Sequence, residues 1–297
     1  MEANPHAGAG VSPRAALNPA LRLGPVHLRV TDVDRSVAFY GDALGLPTHR
    51  REDRTAALGT GEEDVLVLVE EVAARPPGRH AGLFHFALLH PSREELARAV
   101  ARLGASATPI EGASDHGVSE AIYLSDPDGN GIELYADRPR ERWPAPAPGE
   151  RVGMFTRPLD LRGLVGLVAG EEPPRHASEG LAVGHVHLHV GDIERGLAFY
   201  RDILGFEEMA VLPGAAFVSA GGYHHHLGFN VWRGSGVPPA PADAVGLRHW
   251  TIVLPDEADL AAMRERLVGA GVEAEDADRG LLVRDPWEIA VQVVVGA

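Results

Sequence analysis

Residues 26–46 read VHLRVTDVDRSVAFYGDALGL, and residues 186–206 read VHLHVGDIERGLAFYRDILGF. The two stretches align without a gap, so the chain contains an internal repeat, the signature of a modular fold. In the second copy, apolar residues alternate with histidines from His185 to Val190, the period of two that is typical of a strand. The apolar spacing that follows, after an aspartate able to cap a helix, predicts a helix.

A second, weaker pair of similar segments lies further along the chain. HFALLHPSREELARAVARLGA (85–105) is similar to HWTIVLPDEADLAAMRERLVGAG (249–271), and SDPDGNGIELYA (125–136) matches RDPWEIAVQVVV (284–295). The repeats therefore predict four modules, each with the order β-α-β-β-β. Their predicted bounds are residues 24–72, 82–138, 184–234 and 246–297.

The predicted fold class is α+β, with the four modules forming two half-open barrel domains. Residues 1–20 have no periodic pattern and are expected to be a disordered tail. Residues 21–140 form the N-terminal half with modules 1 and 2, and residues 184–297 form the C-terminal half with modules 3 and 4. Residues 141–183 are a Pro-rich linker, within which residues 159–170 are expected to form one short helix.

Composition excludes several classes of function. The chain has 297 residues and no cysteine, so disulfides, thiolate metal sites and iron–sulfur clusters are excluded, and any metal must bind His, Asp or Glu. The formal net charge is −15, which argues against nucleic acid or an anionic membrane as the main partner. The sequence has no signal-like start and no long uncharged apolar stretch. We therefore expect a cytoplasmic protein, and assembly into a homo-oligomer is compatible with the sequence.

Polar residues at equivalent module positions indicate a metal site. The first strands of modules 1 to 4 carry, in order, Pro25, His85, His185 and His249. The last strands of modules 2 and 4 carry Glu133 and Gln292. Of the four pairings of modules that we considered, only module 2 with module 3 gives two histidines and a carboxylate. That donor set suits non-haem Fe(II) and leaves coordination positions open for substrate and oxygen.

The segment SDPDGNGIELY (125–135) allows two interpretations. Asp126, Asp128 and Asn130 match the start of an EF-hand calcium loop, but its twelfth position would be Asp137 rather than glutamate. The flanking residues favour strands, and Pro127 disfavours the calcium-loop geometry. We therefore expect a tight hairpin turn that directs Glu133 towards the interior.

Three consecutive histidines, His224, His225 and His226, form the most distinctive local feature. Such a tract is often a solvated surface segment. Here it precedes LGFNVW, a predicted strand, so at least one imidazole is expected to face the same cavity as His185. An imidazole in that place is suited to proton transfer near pH 7.

Several segments together resemble one known family. SVAFYGDALGL, LSDPDGNGIELYADRP and SAGGYHHHLGFNVW resemble the vicinal oxygen chelate superfamily, which includes glyoxalases, bleomycin resistance proteins and extradiol dioxygenases. The combination of DHGVSEAIYLSDPDGNGIEL with GGYHHHLG is similar to its two-domain catechol-2,3-dioxygenase branch. The resemblance covers residues 22–297.

The resemblance implies a role for each matching residue. The metal ligands would be His85, Glu133 and His185. The catalytic residues would be His225 as the acid–base, Tyr123 as a hydrogen-bond partner of the substrate, and His116 as the residue that orients it. Three further histidines, His187, His189 and His224, are expected to line the substrate pocket.

The function implied is extradiol cleavage of a small aromatic diol, catechol or hydroquinone, with Fe(II) as cofactor and O2 as co-substrate; Mn(II) fits the same ligands. The chain departs from the best-known extradiol enzymes, whose ligands all come from the C-terminal half. Because one fold hosts several chemistries, two alternatives stay open. One is a glyoxalase-like lyase or isomerase with Zn, Ni or Co, and the other is a metal-free drug-binding resistance protein.

Overall fold

In the computed structural model, residues 16–76 and 78–296 are described, and they contain all four predicted modules. A two-residue strand, β1 (Arg22–Leu23), comes first. The first module consists of β2 (Val26–Val30), α1 (Val33–Leu44), β3 (Thr48–Glu52), β4 (Thr55–Thr60) and β5 (Glu63–Glu70). The second consists of β6 (Gly82–Leu89), α2 (Arg93–Ala105), β7 (Gly112–Asp115), β8 (Ser119–Ser125) and β9 (Gly131–Asp137).

The linker and the C-terminal half follow the same plan. The linker contains a 3-10 helix (Arg140–Arg142), β10 (Arg157–Pro158) and α3 (Leu161–Gly166). The third module consists of β11 (Ala182–His189), α4 (Ile193–Leu197) running into a π-helix (Ala198–Ile203), β12 (Glu207–Leu212), β13 (Ala215–Ser219) and β14 (Leu227–Asn230). The fourth consists of β15 (Gly246–Leu254), α5 (Glu257–Gly269), β16 (Ala274–Ala277), β17 (Gly280–Arg284) and β18 (Ala290–Val295).

The modules pair across the two halves of the chain. Modules 2 and 3 form one nine-stranded sheet, here called the 2–3 sheet, in the order β10-β7-β8-β9-β6-β11-β14-β13-β12. Modules 1 and 4 form the other, the 1–4 sheet, in the order β16-β17-β18-β15-β2-β5-β4-β3, with β1 added beside β15. The α+β fold of two curled half-barrel sheets is confirmed, and each sheet takes one module from each half.

Strand alternation and helix capping explain the local structure. On β11, Val186 and Leu188 are fully buried in the main apolar core, so the intervening histidines face the other side of the sheet. Helix α1 begins after Asp32, whose side chain accepts a hydrogen bond from the Arg35 amide. Ser92, Asp192 and Asp256 cap α2, α4 and α5 in the same way.

The DPDG segment forms a tight turn between β8 and β9. Asp126 Oδ1 accepts hydrogen bonds from the amides of Asp128 and Asn130, and its Oδ2 accepts from the Tyr40 hydroxyl. Asp128 accepts from Thr31 and Arg35. These carboxylates are therefore committed to the protein's own donors, which agrees with the predicted turn and not with a calcium loop.

The matching turn of module 4 makes stability depend on pH. Asp285 Oδ1 accepts from the amides of Trp287 and Ile289, and Oδ2 accepts from the Tyr200 hydroxyl. Burial raises the pKa of Asp285 from 3.8 to about 6, although these hydrogen bonds oppose the rise. A carboxyl whose pKa is raised by folding stabilises the protein below the unfolded pKa, and that stabilisation is lost as the pH rises through the folded pKa.

We expect wild type to lose about 2 kcal/mol of unfolding free energy, relative to Asp285→Asn, as the pH rises from about 4 to about 7. The asparagine keeps the acceptor for both amides and does not ionise. Urea unfolding of both proteins across this range measures the difference. A difference that does not change with pH would contradict the assignment.

The segments outside the modules are packed onto them. Of the predicted tail, residues 1–15 lie outside the described residues. Leu17 is buried in the core and its amide bonds the Gly205 carbonyl, so the prediction of disorder is wrong for residues 16–20. The predicted linker helix is α3, which buries Leu164.

Across the part of the chain that is described, every helix is too short or too polar to span a membrane.

Candidate metal centre

Three predicted ligands meet at the middle of the 2–3 sheet. His85, Glu133 and His185 lie on β6, β9 and β11, which are neighbours in the order β9-β6-β11. One donor atom of each lies within 4.8 Å of the other two. Glu133 Oε2 is 3.0 Å from His85 Nε2 and 3.2 Å from His185 Nε2. All three side chains are buried.

The donor set fits a divalent cation. His85 Nε2 is buried and makes no hydrogen bond, although it lies close to Glu133. A buried polar atom without a partner is costly, and a metal ion held between two imidazoles and a carboxylate would give this nitrogen a bond. Two nitrogens and one carboxylate oxygen are the donors of the facial triad that binds non-haem Fe(II).

The charges at this site favour the deprotonated forms that bind metals. Burial alone would raise the pKa of Glu133, but attraction to His185 and His85 lowers it well below its usual range. Burial lowers the pKa of His185, and the nearby Glu133 only partly opposes this. At neutral pH the carboxylate is therefore ionised and the His185 imidazole is neutral, as metal binding requires.

A cavity of about 430 Å³ opens onto this group of residues. Its walls are mostly apolar or aromatic and include Phe84, Met154, Phe155, Leu212, Phe217 and Trp232. Among the lining residues that are described, Glu133 is the one carboxylate and none is lysine or arginine. The cavity thus offers a neutral apolar wall on one side and the polar site on the other, which is usual for small-molecule sites.

Tyr123 and His116 form a hydrogen-bonded pair at the polar side of the cavity. His116 Nε2 is 2.7 Å from the Tyr123 hydroxyl, and His116 Nδ1 is 3.0 Å from the Phe155 carbonyl oxygen. Because only Nδ1–H can donate to a carbonyl, the tyrosine hydroxyl donates to Nε2. Burial and the charge of Glu133 raise the pKa of Tyr123, so the hydroxyl keeps its proton.

The three consecutive histidines point in different directions. His225 lines the cavity, with its ring centroid 4.2 Å from that of His185. His224 is fully buried behind it, with Nδ1 2.9 Å from His225 Nδ1 and Nε2 2.8 Å from Asp137 Oδ1. His226 Nδ1 instead lies 2.9 Å from the Ser219 hydroxyl. Of the three, His225 is the one that reaches the cavity.

The Asp137–His224 pair determines which nitrogen of His225 is free. Asp137 accepts from His224 Nε2–H, so a neutral His224 has its lone pair on Nδ1. His225 Nδ1–H then donates to that lone pair, and His225 Nε2 remains an acceptor. Burial, followed by the nearby His185 and His224, lowers the pKa of His225 well below its usual range, which keeps the imidazole neutral.

The other predicted pocket histidines differ in position. His187 lines the cavity and accepts a hydrogen bond from Asn230 Nδ2 at 2.9 Å. His189 donates to Asn230 Oδ1 at 2.8 Å and lies outside the cavity lining, as does His224. Gly228 faces His187, and a Cβ there would lie 3.1 Å from the imidazole. The glycine therefore makes room for this ring.

Strand register identifies the residues of modules 1 and 3 that are equivalent to Glu133, which the sequence alone did not locate. In the 2–3 sheet, Glu133 pairs with Ala87, and the equivalent residue of module 3 is Gly228 opposite His187. In the 1–4 sheet the equivalents are Val67 opposite His27 and Gln292 opposite Thr251. In the 1–4 sheet, Val67 has no donor atom, Gln292 carries no charge and Pro25 stands where the second histidine would be, so this sheet lacks the carboxylate and the second histidine of the triad.

Several residues of the site were missed by sequence analysis. Met154, Phe155 and Thr156 come from the predicted linker and line the cavity, and the Phe155 carbonyl orients His116. Strand β10, which follows directly, pairs with β7, and this pairing places residues 154–156 beside the cavity. The signal available was the apolar Met154–Phe155 pair in a polar, Pro-rich stretch. Asp137 was considered only as a calcium-loop position.

Comparison with known proteins agrees with this architecture. The family model described as "Glyoxalase/Bleomycin resistance protein/Dioxygenase superfamily" matches residues 22–134 and 182–293. A relative named catechol-2,3-dioxygenase, from Bacillus subtilis (strain 168), is 42% identical over 269 residues, which cover 89% of this chain and 93% of the relative. A probable chloroplastic lactoylglutathione lyase of Arabidopsis thaliana is 25% identical over 199 residues, which cover 64% of this chain and 46% of the relative.

A solved structure shares the fold at low sequence identity. The crystal structure of a putative dioxygenase from Bacillus subtilis subsp. subtilis str. 168 matches with a TM-score of 0.65 and 14% identity, over 95% of this chain and 86% of that one. The family match covers most of all four modules, and the 42% identity extends over nearly the whole chain. The chain therefore belongs to the glyoxalase/bleomycin resistance protein/dioxygenase superfamily.

Proposed function

We propose that this protein is an extradiol ring-cleaving dioxygenase that inserts O2 into a small aromatic diol at a non-haem Fe(II) centre. The observation that carries the proposal is the His85, Glu133 and His185 group, within 4.8 Å and beside an apolar cavity. The 42% identity to a protein named catechol-2,3-dioxygenase supports the same reaction class. When bound, Fe(II) supplies Lewis-acid chemistry to the diol oxygens and electrons to O2.

The residues around the cavity would perform the remaining tasks. His225 Nε2, left as an acceptor by the Asp137–His224 pair, takes the proton of a diol hydroxyl and later returns it. The Tyr123 hydroxyl donates its hydrogen bond to His116, so its oxygen is left to accept a hydrogen bond from the second hydroxyl of the substrate. Phe84, Phe217 and Trp232 enclose the ring and exclude water.

The wall of the cavity also selects for uncharged substrates. A carboxylate on the ring would be buried with no lysine or arginine among the described lining residues, and burying an unpaired charge is costly. We therefore propose catechol, alkyl-substituted catechols and hydroquinones as the substrate class. Protocatechuate, which carries a carboxylate, is expected to react with a kcat/KM about 100-fold lower than that of 4-methylcatechol, a difference of about 3 kcal/mol.

Oxygen uptake tests the proposal directly. Protein purified without oxygen and loaded with Fe(II) is mixed with catechol, 4-methylcatechol, protocatechuate or hydroquinone, while oxygen and a yellow product are recorded. Uptake with a neutral diol that a chelator abolishes is the expected result. Protein that retains one equivalent of iron and consumes no oxygen with any of the four would count against ring cleavage. Equal rates for protocatechuate and 4-methylcatechol would contradict only the selection against charge.

A further inference from the structure

A second cavity, of about 310 Å³, lies against the 1–4 sheet. Four arginines line it: Arg29 on β2, Arg248 on β15, Arg284 on β17 and Arg233 from the segment after β14. We call it the arginine cavity. It shares no lining residue with the cavity at the metal centre, so its ligand would be a different molecule from the diol.

Three of the four arginines donate to backbone carbonyls, and Arg29 is also attracted to the Asp243 carboxylate, whose ion-pair partner is Arg75. Arg29 donates to the Ala244 carbonyl at 2.8 Å, and Arg233 donates to the His80 carbonyl at 3.2 Å. Arg284 donates to the carbonyl of Glu288 at 3.3 Å. None of the four takes part in the ion pairs found between described residues, whereas arginines elsewhere, such as Arg93 with Glu120, do.

This arrangement concentrates positive charge in an acidic protein. Glu288 is the one carboxylate among the described residues that line the cavity, against four guanidinium groups, although the chain as a whole carries a net charge of −15. Arginine presents a planar fork of donors that matches a carboxylate or a phosphate. A site with this surplus of cations attracts small anions from solution.

Buried nitrogens in the wall also lack partners. His80 Nδ1 and His249 Nε2 belong to lining residues, are buried, and have no hydrogen-bond partner. His249 stacks on His27 with ring centroids 3.9 Å apart. Burial together with Arg248 lowers the pKa of His249 to about 4, so this imidazole is neutral. The neutral His249 ring, which also hydrogen-bonds Gln292, therefore adds no charge to the wall, and the charge that an anion would meet comes from the arginines.

Two glycines leave open space beside the backbone in the wall of the arginine cavity. Gly82 and Gly129 line the cavity with φ values of 141° and 83°, and a Cβ built at either one would meet nothing within 4 Å. A ligand can thus approach the main chain closely at these two positions. The volume of about 310 Å³ lies at the lower end of the range for small-molecule sites.

We propose that the arginine cavity binds a small oxyanion with two or more negative charges, either a phosphate or a dicarboxylate. The metal-ligand positions of the 1–4 sheet are occupied by Pro25, Val67 and Gln292 beside His249, so this sheet lacks the donor set for a metal, and the cavity beside it carries arginines. The two sheets of the repeat therefore hold sites of opposite chemistry, one for a cation and one for an anion.

Titration calorimetry of the iron-loaded protein with inorganic phosphate and with succinate, in chloride buffer at constant ionic strength, tests this proposal. We expect saturable binding of at least one anion with a stoichiometry of one. The exposed Arg248 and Arg284 are each replaced by glutamine, and each change is expected to weaken binding about tenfold, since a hydrogen bond to a charged group contributes about 1.5 kcal/mol or more. Binding of phosphate alone or succinate alone identifies the class of oxyanion.

Two matched variants separate the cavity from other sites. Arg162→Gln removes an exposed arginine of α3 that does not line the cavity, and it is expected to bind the anion like wild type. Glu133→Gln removes a proposed ligand of the metal and is expected to keep anion binding, whatever the reaction of that site. The proposal is overturned if neither anion binds saturably, if Arg162→Gln weakens binding as much as Arg248→Gln, or if Glu133→Gln abolishes it.

Discussion

Glu133→Gln is expected to lower the affinity for Fe(II) by at least about 100-fold, so that the purified protein retains little iron. Second-sphere changes around metal ligands already cost 10–100-fold in affinity, and this substitution removes the only charged ligand. The glutamine has nearly the same size as the glutamate. Because Glu133 is buried between His85 and His185, no neighbouring carboxylate of the cavity lining can replace it.

Metal analysis after anaerobic loading with Fe(II), together with thermal unfolding, measures this effect. His249→Gln is the matched control, because His249 has in module 4 the position that His85 has in module 2 but lies in the sheet without a triad. It is expected to retain one equivalent of iron, whereas His85→Gln loses it. Full iron content in folded Glu133→Gln protein would show that the ligand set is wrong.

His225→Phe is expected to keep the iron and to lower kcat by about 10²–10⁴-fold, the usual contribution of general acid–base catalysis. Phenylalanine retains a flat ring against His185, whose centroid is 4.2 Å away, but it cannot accept a proton. Asp137→Asn is expected to have a smaller effect in the same direction. It weakens the acceptor that holds His224, and through His224 it affects the free nitrogen of His225.

Single-turnover and steady-state oxygen uptake, with iron content measured on the same samples, distinguish catalysis from metal loss. His226→Asn is the matched control, since His226 is the adjacent residue and its Nδ1 contacts Ser219 rather than the cavity. Asparagine can place an acceptor in the same position, and near-normal turnover is expected. Normal turnover by His225→Phe would contradict the role proposed for His225.

Most of the fold could be predicted because the sequence contains an internal repeat. The two copies at residues 26–46 and 186–206 each combine a period of two with a helical period, and these local patterns determine the elements directly. The pairing of modules 2 and 3 was predicted from chemistry, because only that pairing supplies two histidines and a carboxylate. The structure brings those three residues within 4.8 Å.

The parts that could not be predicted depend on contacts between distant segments. The linker residue Phe155 lies over the site because β10 pairs with β7, and Leu17 is buried because it packs on the body of the protein. Neither segment has a periodic pattern of its own. His189 and His224 shared the features of pocket residues in the sequence, but hydrogen bonds to Asn230 and Asp137 hold them outside the cavity lining.

The sequence by itself determined the four modules, their strands and helices, and the candidate metal-binding residues, because alternation, capping and repeat position are local properties. Only the tertiary structure decided which nitrogen of His225 is free, which residues close the cavity, and that four arginines outside the ion pairs of the described residues line one cavity at the 1–4 sheet. These features depend on distances between residues that are far apart in the chain. Such distances are set when the two curled sheets form, and no local pattern encodes them.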